Sequence, residues 1–341
     1  MAHVEMRTDL WTGRQAIVAG DRANRPQGVS RSLGVNDNSA EIASDPFLEG
    51  REGKTPEEVL ALRKSDSSPD TAGWLVRIVS NRYPAVSPLT DQTPNAVRGL
   101  HDVVIECPDF RRGWDQFSVA EVTRVLQSWQ LRQSQILAIE AIRSIQIFRN
   151  QGAFAGASLG HSHSQMIALT TVPELVERRV ERANRFDDWR QAELDSQIRV
   201  IEHSHGLLAV CPHTATVAGQ IRICPDNRLA EAPFHELSTS QLTQLAIVLR
   251  KCFTAVEQIF PSTGFNLVVN QPDTQRLETF PWSIDVMPRA SSFAGFELSC
   301  DIPIITIPPE LAAARYRESW QSADADIDEC TPGEELIPPG Y

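Results

Sequence analysis

The chain repeats itself at a fixed distance, and that repeat limits the folds open to it. Ser118 and Glu121 have the spacing of a helix-capping box ahead of a long amphipathic run, and Ser238 and Gln241 have it again 120 residues later. Each box is followed 32 residues on by the first member of an Asn-Gln pair, Asn150-Gln151 and Asn270-Gln271, closing the strand-like runs IFRNQ and LVVNQ. Thirteen residues after each asparagine stand His163 and Ser283, inside HSHSQMI and PWSIDVM. Matched helix starts and matched strand ends, with no gap between them, describe one supersecondary unit used twice. The expected fold is therefore α+β: two tandem units, each a mainly antiparallel sheet packed with one long helix.

The same offset locates the chemistry. His161, His163 and Gln165 fall on Pro281, Ser283 and Asp285, so the histidines survive in one copy and one site per chain is expected. Four regions follow: a first half carrying the site (1–172), a charged helical linker whose charges form a solvated face (173–200), a degenerate second half (201–320) and an acidic, poorly ordered tail (321–341). Strands are expected in DLWTGRQAIVA, WLVRIVSNRYPAV, HDVVIEC and IQIF, with an irregular stretch from about residue 27 to 56 and the first long helix running from Ser118 to about Ala141. TPEEVLALR reads as a helix start, with Thr55 as N-cap, Pro56 in the first turn and Glu58 three residues after the cap.

With 341 residues and 41% hydrophobic content, the chain can bury one large or two medium cores. A net charge of −12 argues against nucleic acid or an anionic membrane as the main partner, and a phosphate-bearing ligand would need a local basic patch. No apolar run approaches the roughly 18 residues of a spanning helix, and the first residues lack the apolar core of a signal peptide. Six scattered cysteines without a CxxC pair suit reduced, mostly buried thiols in a cytoplasmic protein.

In an extended chain His161, His163 and Gln165 would share one face. A histidine there can attack phosphorus through one ring nitrogen while the other is held by a hydrogen bond. The glycine- and alanine-rich loop from Gly152 to Gly160 would let backbone N–H groups approach phosphate oxygens, Gln165 could donate to developing charge, and Arg22, Arg25, Arg82 and Arg149 are available cations. Two other readings compete: a zinc site shared with His203 and His205, and histidines that are purely structural. Trp282, between two small positions, reads as core.

Read together, DLWTGRQAIVAGDRANRP, DPFLEGREGKTPEEVLALR, WLVRIVSNRYPAV, HDVVIECPDF, IFRNQGAFAGASLGHSHSQ and DVMPRASSFAGFEL resemble, in order and over roughly residues 5–320, the galactose-1-phosphate uridylyltransferase family. That family is a branch of the histidine-triad superfamily built from two such halves. The resemblance implies a ping-pong nucleotidyl transfer in which His163 attacks the α-phosphorus of a UDP-sugar, releases a sugar 1-phosphate and passes the nucleotide to a second sugar 1-phosphate. It implies that Gln165 binds the phosphoryl oxygens, that the Ser158 region supplies donors, and that Arg22, Arg25, Asn81 and Asn150 hold the nucleotide and its phosphates; His161, a zinc ligand in that family, is kept as a candidate catalytic residue whose other reading is to buttress the loop. A cytoplasmic homodimer is the usual assembly. The family's metals are another matter. Its structural zinc ligands correspond to Asp45, Leu48, Phe110 and His161, and its second-half histidines to Pro281 and Ser283, so a metal-free protein is expected. The alternatives are a phosphorylase or hydrolase of nucleotides or ADP-sugars within the same superfamily, and a nucleotide-binding protein without turnover.

Overall fold

Both capping boxes form. Ser118 Oγ accepts the Glu121 N–H at 3.2 Å while the Glu121 carboxylate accepts the Ser118 N–H at 2.8 Å, and Ser238 and Gln241 repeat the pair at 3.3 and 2.8 Å. The computed structural model describes residues 4–20, 38–64, 67–111, 113–226, 232–278 and 281–327. Its strands are β1 (Glu5–Thr8), β2 (Gln15–Val18), β3 (Glu58–Arg63), β4 (Trp74–Ser80), β5 (Gly99–Ile105), β6 (Ser144–Gln151), β7 (His163–Leu169), β8 (Val200–Ser204), β9 (Leu207–Val210), β10 (Ile221–Pro225), β11 (Phe265–Asn270), β12 (Ser283–Pro288) and β13 (Ile304–Ile305). The helices are α1 (Asn38–Ser44), α2 (Val119–Leu137), α3 (Glu174–Val180), α4 (Phe186–Ser196), α5 (Thr239–Ile259), α6 (Gly295–Cys300) and α7 (Pro309–Ile327).

Among the described residues, ten strands form one antiparallel sheet in the order β3-β4-β5-β7-β6-β11-β12-β10-β9-β8. The order is a palindrome about the β6–β11 join: β7 answers β12, β5 answers β10, and the long helices α2 and α5 answer each other. The fold is thus the duplicated α+β arrangement, with the two sheets merged edge to edge. Merging removes one exposed strand edge from each half. The two long helices share a single core with the sheet, to which α2 gives Val122, Leu126 and Trp129 and α5 gives Leu245, Leu249 and Phe253. Phe253 stacks on Phe265 of β11 at 4.6 Å between ring centroids and meets Trp114 edge-on at 5.2 Å. Truncating a fully buried residue such as Leu249 to Ala would cost about 2–5 kcal/mol. Trp282 is core as expected, buried against Phe234.

The β6–β11 join needs glycine at one point. Gly264, with φ +69°, sits where a Cβ would lie 2.2 Å from the Gln151 carbonyl oxygen, so only glycine lets the strand ends approach this closely.

Three expectations are corrected. TPEEVLALR forms no helix: Glu58–Arg63 is an edge strand, paired to β4 through two register shifts. Its capping groups are engaged elsewhere: Arg77, a buried guanidinium on β4, donates to Thr55 Oγ1 at 2.6 Å and to Glu58 Oε2 at 3.3 Å, and Arg63 donates to both Glu58 carboxylate oxygens. Satisfying a buried charge outweighs a local preference worth about 1 kcal/mol. The helix α2 stops at Leu137, and turn hydrogen bonds from Ile139 and Ile142 carry the chain on toward β6. Helix α7 continues through Ile327, well into the stretch read as tail, and residues 328–341 lie outside the described residues.

The charged stretch after β7 forms α3 and α4, and it has an apolar side. Phe186 and Trp189 pack on Trp11 at 4.8 and 5.0 Å, while Arg182 donates to the carbonyls of Trp11 and Leu10. Cys107, Cys211, Cys224 and Cys252 are free and buried, and burial pushes their thiols up in pKa. No helix among the described residues is long and apolar enough to cross a membrane.

Candidate active site

Strand β6, the loop after it and β7 build the site at the join of the two halves. The loop leaves β6 through Gly152 (φ +84°), makes a 3-10 turn over Ala153–Ala155, turns back at Gly156 (φ +86°) and re-enters the sheet at His163. A cavity of about 680 Å3 opens against it, lined by Asn150, Gly152, Ala157, Ser158, Gly160 and His163 among others. That is within the ordinary size of a small-ligand site.

His163 is buried, and its Nδ1 lies 2.8 Å from the His161 carbonyl oxygen. A carbonyl can only accept, so Nδ1 carries the proton and Nε2 keeps its lone pair. Among the described residues Nε2 has no hydrogen-bond partner. Burial holds the His163 pKa below its ordinary value; Glu106 opposes that shift, and Arg149 and the His161 ring add to it. A neutral imidazole with one nitrogen pinned and the other open is the form a nucleophile requires.

His161 stands just ahead of β7 rather than in a continuous row with His163 and Gln165. Its ring is engaged at both nitrogens, by Asp45 Oδ2 at 2.6 Å and by the Cys107 carbonyl at 2.9 Å. The Cys107 carbonyl can only accept, so Nε2 donates to it and Nδ1 faces the Asp45 carboxylate. Phe47 and Phe110 pack edge-on against the same ring, and Phe47 also touches His163. His161 therefore ties the segment around Asp45 to the loop.

The backbone between the two histidines is anchored from below. Glu106 Oε2 accepts from Ser162 Oγ at 2.6 Å, Trp114 Nε1 at 2.8 Å and Arg149 Nε at 3.0 Å, all in the protein interior. Arg149 also donates to Ser162 Oγ and Gln151 Oε1 and lies over the Trp114 and Phe265 rings. Arg149 thus reaches the cavity wall with its charge paired to Glu106 inside the sheet. Arg149 is the one arginine or lysine among the described lining residues, and Glu41, Asp115 and Glu257 add negative charge around the cavity.

Of the residues expected at the site, the structure brings Asn150, Ser158, His161 and His163 to the cavity. Gln165 lies two residues along β7 from His163, on the same face but outside the lining, and its Oε1 is 2.8 Å from His101 Nε2. Asn81, at the end of β4, meets the same ring at 3.1 Å. Arg22 and Arg25 lie outside the described residues, and Arg82 is exposed beside Tyr83. His203 pairs with Asp226, and His205 sits in a turn at φ +57°, away from the site. Asp45, expected only as a lost zinc ligand, is instead a partner of His161, and the residues not anticipated at the site are His101, Glu106 and Asn266. Asn266 faces Asn150 across the join and donates to its Oδ1 and to the Ala155 carbonyl, both at 2.8 Å, so the Asn150 amide has its N–H groups left to give. The 120-residue offset could have flagged Asn266, whose counterpart is Gln146 on β6; nothing local marks His101 or Glu106.

The family's structural zinc does not fit these residues. Asp45 and His161 bond to each other, Leu48 and Phe110 offer no metal donor, and no three His, Cys, Asp or Glu side chains among the described residues converge as a metal site.

The duplicated fold with one surviving histidine loop defines a protein of the histidine-triad superfamily. A family model described as the N-terminal domain of galactose-1-phosphate uridyl transferase matches residues 81–173. The ADP-glucose phosphorylase of Arabidopsis thaliana is 30% identical over 332 residues, covering 92% of both chains. A galactose-1-phosphate uridylyltransferase of Cryptococcus neoformans is 23% identical, over 97% of this chain and 94% of its own. A crystal structure of an ADP-glucose phosphorylase from Arabidopsis thaliana with bound ADP-glucose superposes with a TM-score of 0.78 at 29% identity, covering 93% of this chain and 99% of that one. The chain belongs to the galactose-1-phosphate uridylyltransferase family.

Two outcomes follow from the geometry. Glu106→Gln replaces the acceptor of three donors with a neutral amide and leaves Arg149 unbalanced; urea unfolding should show a loss of about 3–5 kcal/mol, and an unchanged midpoint would contradict the network. Because burial depresses the His163 pKa, the ring stays neutral through its ordinary value of about 6.5 as pH falls. The acid limb of any His163-dependent reaction should lie below that value, and a limb centred above it would contradict the assignment.

Proposed function

We propose that the protein is a nucleotidyltransferase that acts on a nucleoside diphosphate sugar through a covalent nucleotidyl-His163 intermediate, with ADP-glucose as donor and inorganic phosphate as acceptor. The observation that carries the chemistry is the His163 ring, pinned at Nδ1 by the His161 carbonyl with Nε2 open toward the cavity. The greater likeness to the ADP-glucose phosphorylase than to the uridylyltransferases favours the adenine nucleotide over the UDP-sugar reading. It also favours phosphate over a second sugar 1-phosphate as acceptor.

In the first step the Nε2 lone pair attacks the α-phosphorus. An N–P bond forms, the bond from the α-phosphorus to the bridging oxygen breaks, and the sugar 1-phosphate leaves with that electron pair. The ring becomes cationic without losing its Nδ1 proton, and the His161 carbonyl, already accepting that proton, stabilises the charge. In the second step a phosphate oxygen attacks the same phosphorus, the N–P bond breaks, and the nucleoside diphosphate leaves the neutral imidazole behind. Asn150, with its oxygen occupied by Asn266, and Gln165 would donate N–H groups to the non-bridging oxygens, and Ser158 with the backbone of its loop would complete the cradle. Asn81, Arg22 and Arg25 remain the candidates for holding the rest of the nucleotide. His161 acts by fixing the loop.

Protein incubated with ADP-glucose labelled at the α-phosphate should acquire acid-labile label, and His163→Ala should acquire none. Phosphate should discharge it as ADP. Label from UDP-glucose alone, discharged by galactose 1-phosphate, would favour the uridylyltransferase reading; no label from either would leave a binding protein. The proposal also includes the absence of structural zinc, because Asp45 replaces a thiolate and bonds His161 directly. Elemental analysis should find less than stoichiometric zinc, and one zinc per chain would contradict that part.

A further inference from the structure

His101 of β5 is not a predicted site residue, yet it touches two of them. Its ring is buried, and Nδ1 lies 3.0 Å from the Ala85 backbone nitrogen. A backbone N–H can only donate, so Nδ1 is the acceptor and bears no proton; the neutral ring then carries its proton on Nε2. Two groups lie near that nitrogen: Gln165 Oε1 at 2.8 Å and Asn81 Nδ2 at 3.1 Å. Asn81 is turned by its own oxygen, which accepts the Tyr83 N–H at 2.8 Å, so its amino group faces the ring and cannot accept from it. The Gln165 oxygen is the acceptor. Held by its oxygen, the Gln165 amide must present its amino group elsewhere.

From this chain of fixed donors, running from the Ala85 N–H through His101 to Gln165, we infer that His101 is a positioning residue that sets which end of the Gln165 amide faces the group transferred to His163. The terminal torsion of a glutamine is broad and nearly two-fold, so an untethered amide turns over at small cost. Turned over, it would place an oxygen against phosphoryl oxygens instead of a donor. Asn266 fixes the Asn150 amide by the same logic from the other side of the loop, so both amides are oriented by a neighbour on an adjoining strand. The inference rests on the proposed role of Gln165 at the phosphoryl group, and its test has an arm that does not need turnover.

That arm is the ring tautomer. Long-range proton–nitrogen NMR, with the His101 signals identified by their loss in His101→Gln, should show Nε2 protonated and Nδ1 bare. A proton on Nδ1 overturns the inference whether or not the protein turns over. The second arm is the single-turnover rate of label transfer from ADP-glucose to His163. His101→Gln can accept from Ala85 and donate to Gln165 and should keep most of the rate. His101→Leu should lose at least about tenfold, approaching the loss from removing one donor to the transferred group, with little change in ADP-glucose affinity. Adding Gln165→Ala to His101→Leu should slow it no further than Gln165→Ala alone. Where His101→Leu does not fold, His101→Glu, which accepts but cannot donate, carries the same comparison. A leucine or glutamate variant as fast as wild type, or losses that multiply in the double variant, overturns the inference. Absence of label in wild type with the expected tautomer would count against the proposed function and not against the tether.

Discussion

The antiparallel pairing of β6 with β11 is the constraint from which the rest of the molecule follows. It turns two copies of one unit into a single ten-stranded sheet, brings α2 and α5 over one shared core, and sets the end of β6 against the start of β11. The glycine loop leaves β6 at that point. Because Asn266 of the second half reaches across to Asn150 and to the Ala155 carbonyl, the degenerate half still shapes the loop of the active half. The duplication therefore left a division of labour: one half carries the histidines, and the other braces the loop that aims them.

The His163 loop is held by ordinary hydrogen bonds at several points. Its core is a buried carboxylate, Glu106, whose Oε2 accepts from an indole, a guanidinium and a hydroxyl, the last of which fixes the residue between the two histidines. Its outer tie is Asp45 to His161, backed by Phe47 and Phe110. Arg51 adds to it from the same segment by donating to the carbonyls of Ile42, Ala43 and Asp45. These contacts span the place where the family resemblance would put zinc ligands. In the second half Asp285, the counterpart of Gln165, makes a bidentate pair with Arg222 and accepts from Asn270, which itself meets Ser283. In both regions a buried carboxylate, Asp45 or Asp285, is the acceptor that joins side chains from separate segments.

What could be read from the sequence was what short-range spacing encodes. The capping boxes at Ser118 and Ser238, the strand ends at Asn150 and Asn270, and the small-residue loop before His163 are each written in a few neighbouring residues, and the constant offset made them a topology. The failures share a cause. Thr55 and Glu58 had the form of a helix cap, but Thr55 bonds a buried arginine on another strand, and Glu58 is shared between that arginine and Arg63. Arg149 had the form of a phosphate ligand, but its charge is paired to Glu106, 43 residues away. His101 and Gln165 are 64 residues apart and meet only because β5 lies beside β7. Pairings of this kind depend on register between strands, and no window of sequence contains them. The family resemblance supplied the order of the motifs and the nucleophile proposed above, while the balance between adenine and uracil nucleotides shifted with overall likeness to a relative.

The central claim is that one ring nitrogen, Nε2 of His163, takes the nucleotide. Its most direct test is mass spectrometry of protein quenched at alkaline pH after brief exposure to ADP-glucose without phosphate. The account predicts a mass increase of one adenylyl group per chain, mapped by fragmentation to His163, and its disappearance on adding phosphate. An unmodified protein that nevertheless turns ADP-glucose over, or a nucleotide carried on any other residue, would contradict it.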